Sequence, residues 1–241
     1  MHSRCGPVWA CVTNHDYSRR RLHLSERFSP PCNKGIPNSF DWAIRYAYHG
    51  DRMAESYDGR NVYWAARDIE YFPPVGNHHF VMMTFHSLED SPNPAQTVEI
   101  SDGHGRRIYV LSYALFPIWP ECNIEIKVNA AEDLEAYREY FCNAQGLLCD
   151  LDYEGHRIPP PQGMDMAEFM RKINEAALKS QDYLANHPGQ YKYNPLDQNC
   201  ATWVNDLMTH VGVPEDVRRA HNDFEGLDVG HDATAFLPTF Q

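Results

Sequence analysis

Between His79 and Phe85 the chain reads His-Phe-Val-Met-Met-Thr-Phe, a nearly continuous apolar run. A strand with one wet face alternates apolar and polar residues, whereas an unbroken run requires cover on both faces. Period two puts His79, Val81, Met83 and Phe85 on one side, with other elements needed against each side. The chain supplies them. Val98–Ser101 and Ile108–Leu115 flank the Gly-rich Asp102-Gly-His-Gly-Arg106, a hairpin signal. Asn123–Val128 alternates, with Ile124, Ile126 and Val128 predicted to face inward. A helix is expected from about Ala130 to Asn143, capped by Asn129 and striped by Leu134, Tyr137 and Phe141. After the break at Pro159-Pro160-Pro161, a longer helix is predicted from about Met164 to Asn186, packing through Phe169, Met170, Ile173 and Leu184. Strands followed by helices predict an α+β fold, an antiparallel sheet packed against helices.

A third helix, expected to start at Cys200, is the candidate for the chemistry. In Asn194–Met208, Pro195 breaks any preceding helix, and Asp197 or Asn199 can cap the next by accepting its orphan N–H groups. Trp203, Val204, Leu207, Met208 and Val211 follow at helical spacing, and Gly212 and Pro214 end the segment. Cys200 therefore falls on the first helical turn, where the positive end of the helix dipole lowers a thiol pKa. The competing reading is a buried, inert cysteine packed beside Trp203, Val204 and Leu207.

A chain of 241 residues with 43% apolar content can bury a sizeable core. Its net charge of -12 argues against a general nucleic-acid binder. No run approaches the ~18 apolar residues of a membrane span, so stable membrane insertion is not expected. The seven cysteines, at 5, 11, 32, 122, 142, 149 and 200, lack paired C-x-x-C spacing and suggest neither a disulfide framework nor a zinc site. The thirteen histidines include no His-Glu-x-x-His, so no metal and no cofactor is expected. The N-terminus has no apolar core of signal-peptide length, which predicts synthesis in the cytosol and export only by a dedicated machine. Residues 1–60 read as an N-terminal extension packed on a catalytic domain of residues 61–241, with one domain over 1–241 as the alternative. The extension holds Arg19-Arg20-Arg21, the Pro30-Pro31 break and a short amphipathic helix from Phe40 to Ala47 capped by Ser39. Val62–Ile69 reads as a helix or a strand.

A nucleophilic thiol needs an imidazole base, and the base needs a polar group to hold its ring. His78 and His79 stand at the mouth of the first strand and point to opposite faces; strand phase favours His79. The orienting group is sought on the neighbouring strand or its turn, among Glu99, Asp102 and His104. Asn199 and Gln198 can donate to an oxyanion, with simple helix capping as the alternative.

Asn199-Cys200-Ala-Thr-Trp-Val204 at a helix start resembles the Asn-Cys-x-x-aromatic-Val signature of the permuted papain-like superfamily, which includes permuted NlpC-type peptidases and lecithin:retinol acyltransferase-like enzymes. Members place the histidine on a strand before the cysteine and the third polar residue on the next strand. His79-Phe80, then Glu99, Asp102 or His104, then Cys200 follows that order over roughly residues 75–212. The interval of 200 − 79 = 121 positions departs from the pattern and must hold extra helices. The resemblance implies a permuted papain-like fold and a cysteine amidase or endopeptidase with Cys200 and His79 as its dyad. Such a chain is similar to peptidoglycan-cleaving effectors of type VI secretion, which act in a rival's periplasm and have a secretion-machine carrier and a cognate immunity protein. Two other enzyme readings are a thiol lipase or acyltransferase on lipid esters and a protein deamidase toxin. The non-enzyme reading is a papain-like binding module with a structural Cys200.

Overall fold

The computed structural model describes residues 59–69, 77–101, 105–143, 153–194, 198–221 and 237–240. The predicted helix near Phe40 and the Arg19–Arg21 run lie outside these residues, as do Asp102 and His104. The described chain is mixed α+β. Six strands, β1 (Asn61–Asp68), β2 (Asn77–Phe85), β3 (Val98–Ser101), β4 (Arg107–Ile118), β5 (Asn123–Val128) and β6 (Tyr153–Arg157), form one antiparallel sheet. Its order is β3-β4-β2-β1-β6, with β5 also paired to β4. The helices are α1 (Ala131–Asn143), α2 (Met166–Asn186), α3 (Cys200–His210) and α4 (Glu215–His221).

The apolar run becomes β2, and from His78 onward every residue of that strand is buried. Val81, Met83 and Phe85 join Val62 and Trp64 of β1 in a core completed by Phe169, Met170 and Ile173 of α2 and by Trp203, Val204 and Leu207 of α3. Phe80 and Met82 face the other way, into a smaller core with Ile100, Val110, and Ala136 and Tyr137 of α1. Helices thus cover both faces of β2, as an unbroken apolar strand requires. Removing side chains of this size from water supplies about 1.5–3 kcal/mol each.

Several boundaries differ from the sequence expectation. Helix α2 begins at Met166 because the carboxylate of Asp165 accepts from the Glu168 N–H and caps it. Asn129 does not cap α1. It sits at φ 51°, and its Oδ1 accepts from the backbone N–H of Ser112, so it ties the end of β5 to β4. Val62–Ile69 resolves as strand β1, sandwiched between β2 and β6. Strand β6 was not signalled, because Tyr-Glu-Gly-His-Arg carries no apolar alternation.

Candidate active site

Asn199 has an extended backbone, and its Oδ1 accepts from the Thr202 N–H at 2.9 Å. It is the N-cap, so Cys200 is the first residue of α3 and its thiol lies in the field of the helix terminus. Asn194 and Gln198 exchange both main-chain hydrogen bonds at 3.0 Å, which pinches the chain immediately before the cap. Gln198 therefore contributes a hairpin-like brace there.

The thiol meets β2 at the edge of its pairing with β4. That ladder ends at Val81↔Tyr113. Two residues before Val81, the backbone N–H of His79 donates to Cys200 Sγ at 3.4 Å, and the Asn77 carbonyl lies 3.9 Å from the sulfur. The sulfur thus sits along the strand edge rather than over one face of the sheet. This placement lets two histidines on opposite faces act on one atom.

The two rings have different partners. Trp64 Nε1 donates to His79 Nδ1 at 3.0 Å. An indole N–H can only donate, so Nδ1 is the bare nitrogen and the ring proton of the neutral imidazole is on Nε2. The nitrogen that would take up a proton is occupied. His78 lies on the other face, between Phe80 and Phe116, whose ring centroid is 4.4 Å away. Its Nε2 is 3.5 Å from Asp133 Oδ1, an ion-pair distance too long for a good hydrogen bond. Asp133 belongs to the first turn of α1, is 1% exposed, and accepts from Arg67 Nε at 2.7 Å. The strand-phase preference for His79 thus meets a ring already bonded to Trp64, while the His78 ring lies 3.5 Å from a buried carboxylate.

The electrostatics follow that arrangement. Burial alone pushes the Cys200 thiol up, but the positive charge of the nearby His78, then the neighbouring His79 with its backbone N–H, outweigh burial and hold the thiol below its ordinary 9.0. Burial opposes protonation of His78. The Cys200 thiolate and the Asp133 carboxylate reverse this and raise the imidazole above its ordinary 6.5. Burial likewise pushes the Asp133 carboxyl up, yet His78 and then Arg67 keep it below the usual carboxylate range. These directions favour a thiolate beside an imidazolium, with the Asp133 carboxylate in contact with Arg67.

Tyr193 supplies a further group. Its hydroxyl lies 3.9 Å from Cys200 Sγ, and burial together with the adjacent thiolate pushes its pKa well above the usual phenol range. It stays protonated and can donate. The hairpin β4–β5 anchors it, since the Tyr193 N–H donates to the Cys122 carbonyl at 2.6 Å.

Of the orienting groups sought on the neighbouring strand, Glu99 is described and is not at the site. It pairs with Tyr109 of β4, itself opposite Phe85, six residues along β2 from His79 and roughly 20 Å away at strand rise. Its side chain is 41% exposed and lies 3.8 Å from Arg107. Sequence reasoning missed Asp133, Arg67 and Tyr193. Among the described residues no group of three or more His, Cys, Asp or Glu side chains is disposed to hold a metal ion, and no helix is long and apolar enough to cross a membrane. No protein-family profile, curated protein or solved structure matches the chain.

Proposed function

We propose that the chain is a cysteine hydrolase of the permuted papain-like kind, with Cys200 as nucleophile, His78 as acid and base, and Asp133 as the carboxylate that orients His78. The observation that carries this reading is the thiol at a helix N-terminus against the edge of the strand that bears His78, whose ring lies 3.5 Å from a buried carboxylate. A structural cysteine needs no such company, and a lowered thiol pKa beside an imidazolium is how a thiol becomes a nucleophile.

The reaction follows from the charges. The Cys200 thiolate adds to an amide carbonyl carbon, and the carbonyl oxygen takes the negative charge. In this reading the Tyr193 hydroxyl and the N–H groups of Cys200 and Ala201 receive that charge, those of Thr202 and Trp203 being bonded to Asn199. His78 gives its proton to the leaving amine as the C–N bond breaks, leaving a thioester. His78, now neutral, takes a proton from water. The hydroxide adds to the thioester carbonyl, the carboxylic acid leaves, and the thiolate and imidazolium return. Asp133 holds the ring throughout.

The substrate class proposed is the peptide portion of peptidoglycan, met after delivery into a target cell's periplasm. This rests on the resemblance of Asn199-Cys200-Ala-Thr-Trp-Val204 to permuted NlpC-type peptidases. The test is digestion of purified sacculi by the wild type and by Cys200→Ala, with mass analysis of the released fragments. New fragments cut at stem or cross-bridge amides, absent with the variant, are expected. No fragments from either protein would overturn the substrate class, and identical fragments from both would overturn Cys200 as nucleophile.

A further inference from the structure

Arg67 and His78 are direct partners in the register between β1 and β2. Directly opposed residues of an antiparallel pair project from the same face, with Cβ atoms about 4.5–5.5 Å apart. Both side chains reach the same atom. Arg67 Nε is 2.7 Å from Asp133 Oδ1, and His78 Nε2 is 3.5 Å from that same oxygen. Asp133 Oδ2 is buried and has no hydrogen-bond partner. The closer and better-made contact to the carboxylate is therefore the guanidinium, not the imidazole. A second arm fixes Arg67, as its Nη1 donates to the Asp68 carbonyl at 3.3 Å.

We propose that Arg67 is a positioning residue of this site: it fixes the Asp133 carboxylate against His78 and balances the second negative charge buried there. The proposal rests on the catalytic reading of Cys200 and His78 and extends it to a residue that touches neither the nucleophile nor any substrate. Without Arg67 the buried groups are a thiolate, an imidazolium and a carboxylate, a net negative set with Asp133 only 1% exposed. A buried unpaired charge is costly, and a site in that state takes up a proton. The proton goes to the thiolate or the carboxylate, and either outcome weakens the thiolate–imidazolium pair.

Among the described residues, the titratable and charged groups placed around His78 are Arg67 from β1, Asp133 from α1 and Cys200 from α3, with the Tyr193 hydroxyl 3.9 Å from the sulfur. Lys127 of β5 lies over the far ring, Phe116, 4.5 Å from its centroid. Arg67 is the cation in direct contact with Asp133, so its loss is not made good by Lys127.

The experiment is a pH titration of thiolate ultraviolet absorbance, taken as a difference against Cys200→Ala in each background. The difference isolates one thiol among the chain's seven cysteines. The backgrounds are wild type, Arg67→Gln, Arg67→Lys and Asp133→Asn, with thermal unfolding recorded for each. Arg67→Gln is expected to move the Cys200 midpoint upward by roughly one pH unit, the low end of the effect of a nearby opposite charge. Arg67→Lys keeps the charge but not the fork that holds both Asp133 and Asp68, and its midpoint is expected between those of wild type and Arg67→Gln. Where Arg67→Gln does not fold, Arg67→Lys carries the test alone. A midpoint equal to wild type in every folded Arg67 variant, with Asp133→Asn shifted, overturns the proposal even if unfolding temperatures drop. A wild-type midpoint at the ordinary thiol value overturns the catalytic reading instead, so the two failures are distinct.

Discussion

The indole N–H of Trp64 on β1 donates to Nδ1 of His79 on β2 at 3.0 Å, two residues along from Val81, the direct partner of Trp64. This bond gives two adjacent histidines different surroundings. His79 contributes its backbone N–H to the sulfur and its ring to the core. His78 keeps its ring for Asp133 and the thiol.

The division gives opposite expectations for two alanine variants. His78→Ala should remove the general base, costing about 10²–10⁴-fold in turnover, and return the thiol toward its ordinary value. His79→Ala retains the backbone N–H but removes the ring nitrogen that accepts from Trp64 Nε1. It should cost about 1–3 kcal/mol in urea unfolding while a thiolate remains at neutral pH. Turnover and thiolate absorbance on both variants check the pair; loss of the thiolate in His79→Ala alone would reverse the assignment.

The pH dependence of stability has a definite sign for each partner. Cys200 has a folded value below 9.0, so its contribution is present above 9.0 and is lost as pH falls through the lowered value. His78 has a folded value above 6.5, so its contribution is full below 6.5 and is lost as pH rises through the raised value. Between 6.5 and 9.0 the two slopes oppose, and the pair adds no pH dependence. Denaturant unfolding of wild type against a Cys200→Ser, His78→Gln double variant should therefore give a difference that is level across that interval. Below it, the part of the difference due to Cys200 should shrink as pH falls. A steep slope inside the interval would show that only one of the two groups is charged in the fold.

How much of this was readable beforehand depends on whether a residue's role is local. The double burial of β2 and the helix start at Cys200 are local properties, set by an unbroken apolar run and by a cap at Asn199. Asp133 stands next to Glu132 at the start of a helix, where acids complement the dipole in any protein, so nothing in the sequence marks it as a partner of His78. Arg67 ends a strand beside Asp68, an ordinary solvated pattern until register places it opposite His78. The choice of His79 used the correct strand phase but assumed that the sulfur lies over one face. It lies at the strand edge, where both faces reach it.

Asn199 separates capping from catalysis. Its Oδ1 is spent on Thr202, whose backbone N–H and hydroxyl are 2.9 and 3.2 Å away. Asn199→Asp should preserve the cap and most of the activity. Asn199→Ala should cost about 1 kcal/mol of stability and also raise the thiol midpoint as the first turn frays. Equal, large losses of turnover in both variants at unchanged stability would instead show that the amide N–H₂ contacts the oxyanion.

Tyr193 is the remaining donor to be tested, and its test must exclude an effect on the nucleophile. Its hydroxyl is 3.9 Å from the sulfur, too far to stabilise the thiolate strongly, and in the proposed reaction it donates to the tetrahedral oxygen instead. Tyr193→Phe keeps the ring and removes only the hydroxyl. Turnover should fall about 10²–10³-fold, as for loss of one oxyanion donor, with the thiolate midpoint within a few tenths of wild type. If the midpoint moves as much as turnover falls, the hydroxyl acts on the sulfur. A midpoint and a turnover both unchanged would leave the first turn of α3 to carry the oxyanion through its backbone N–H groups.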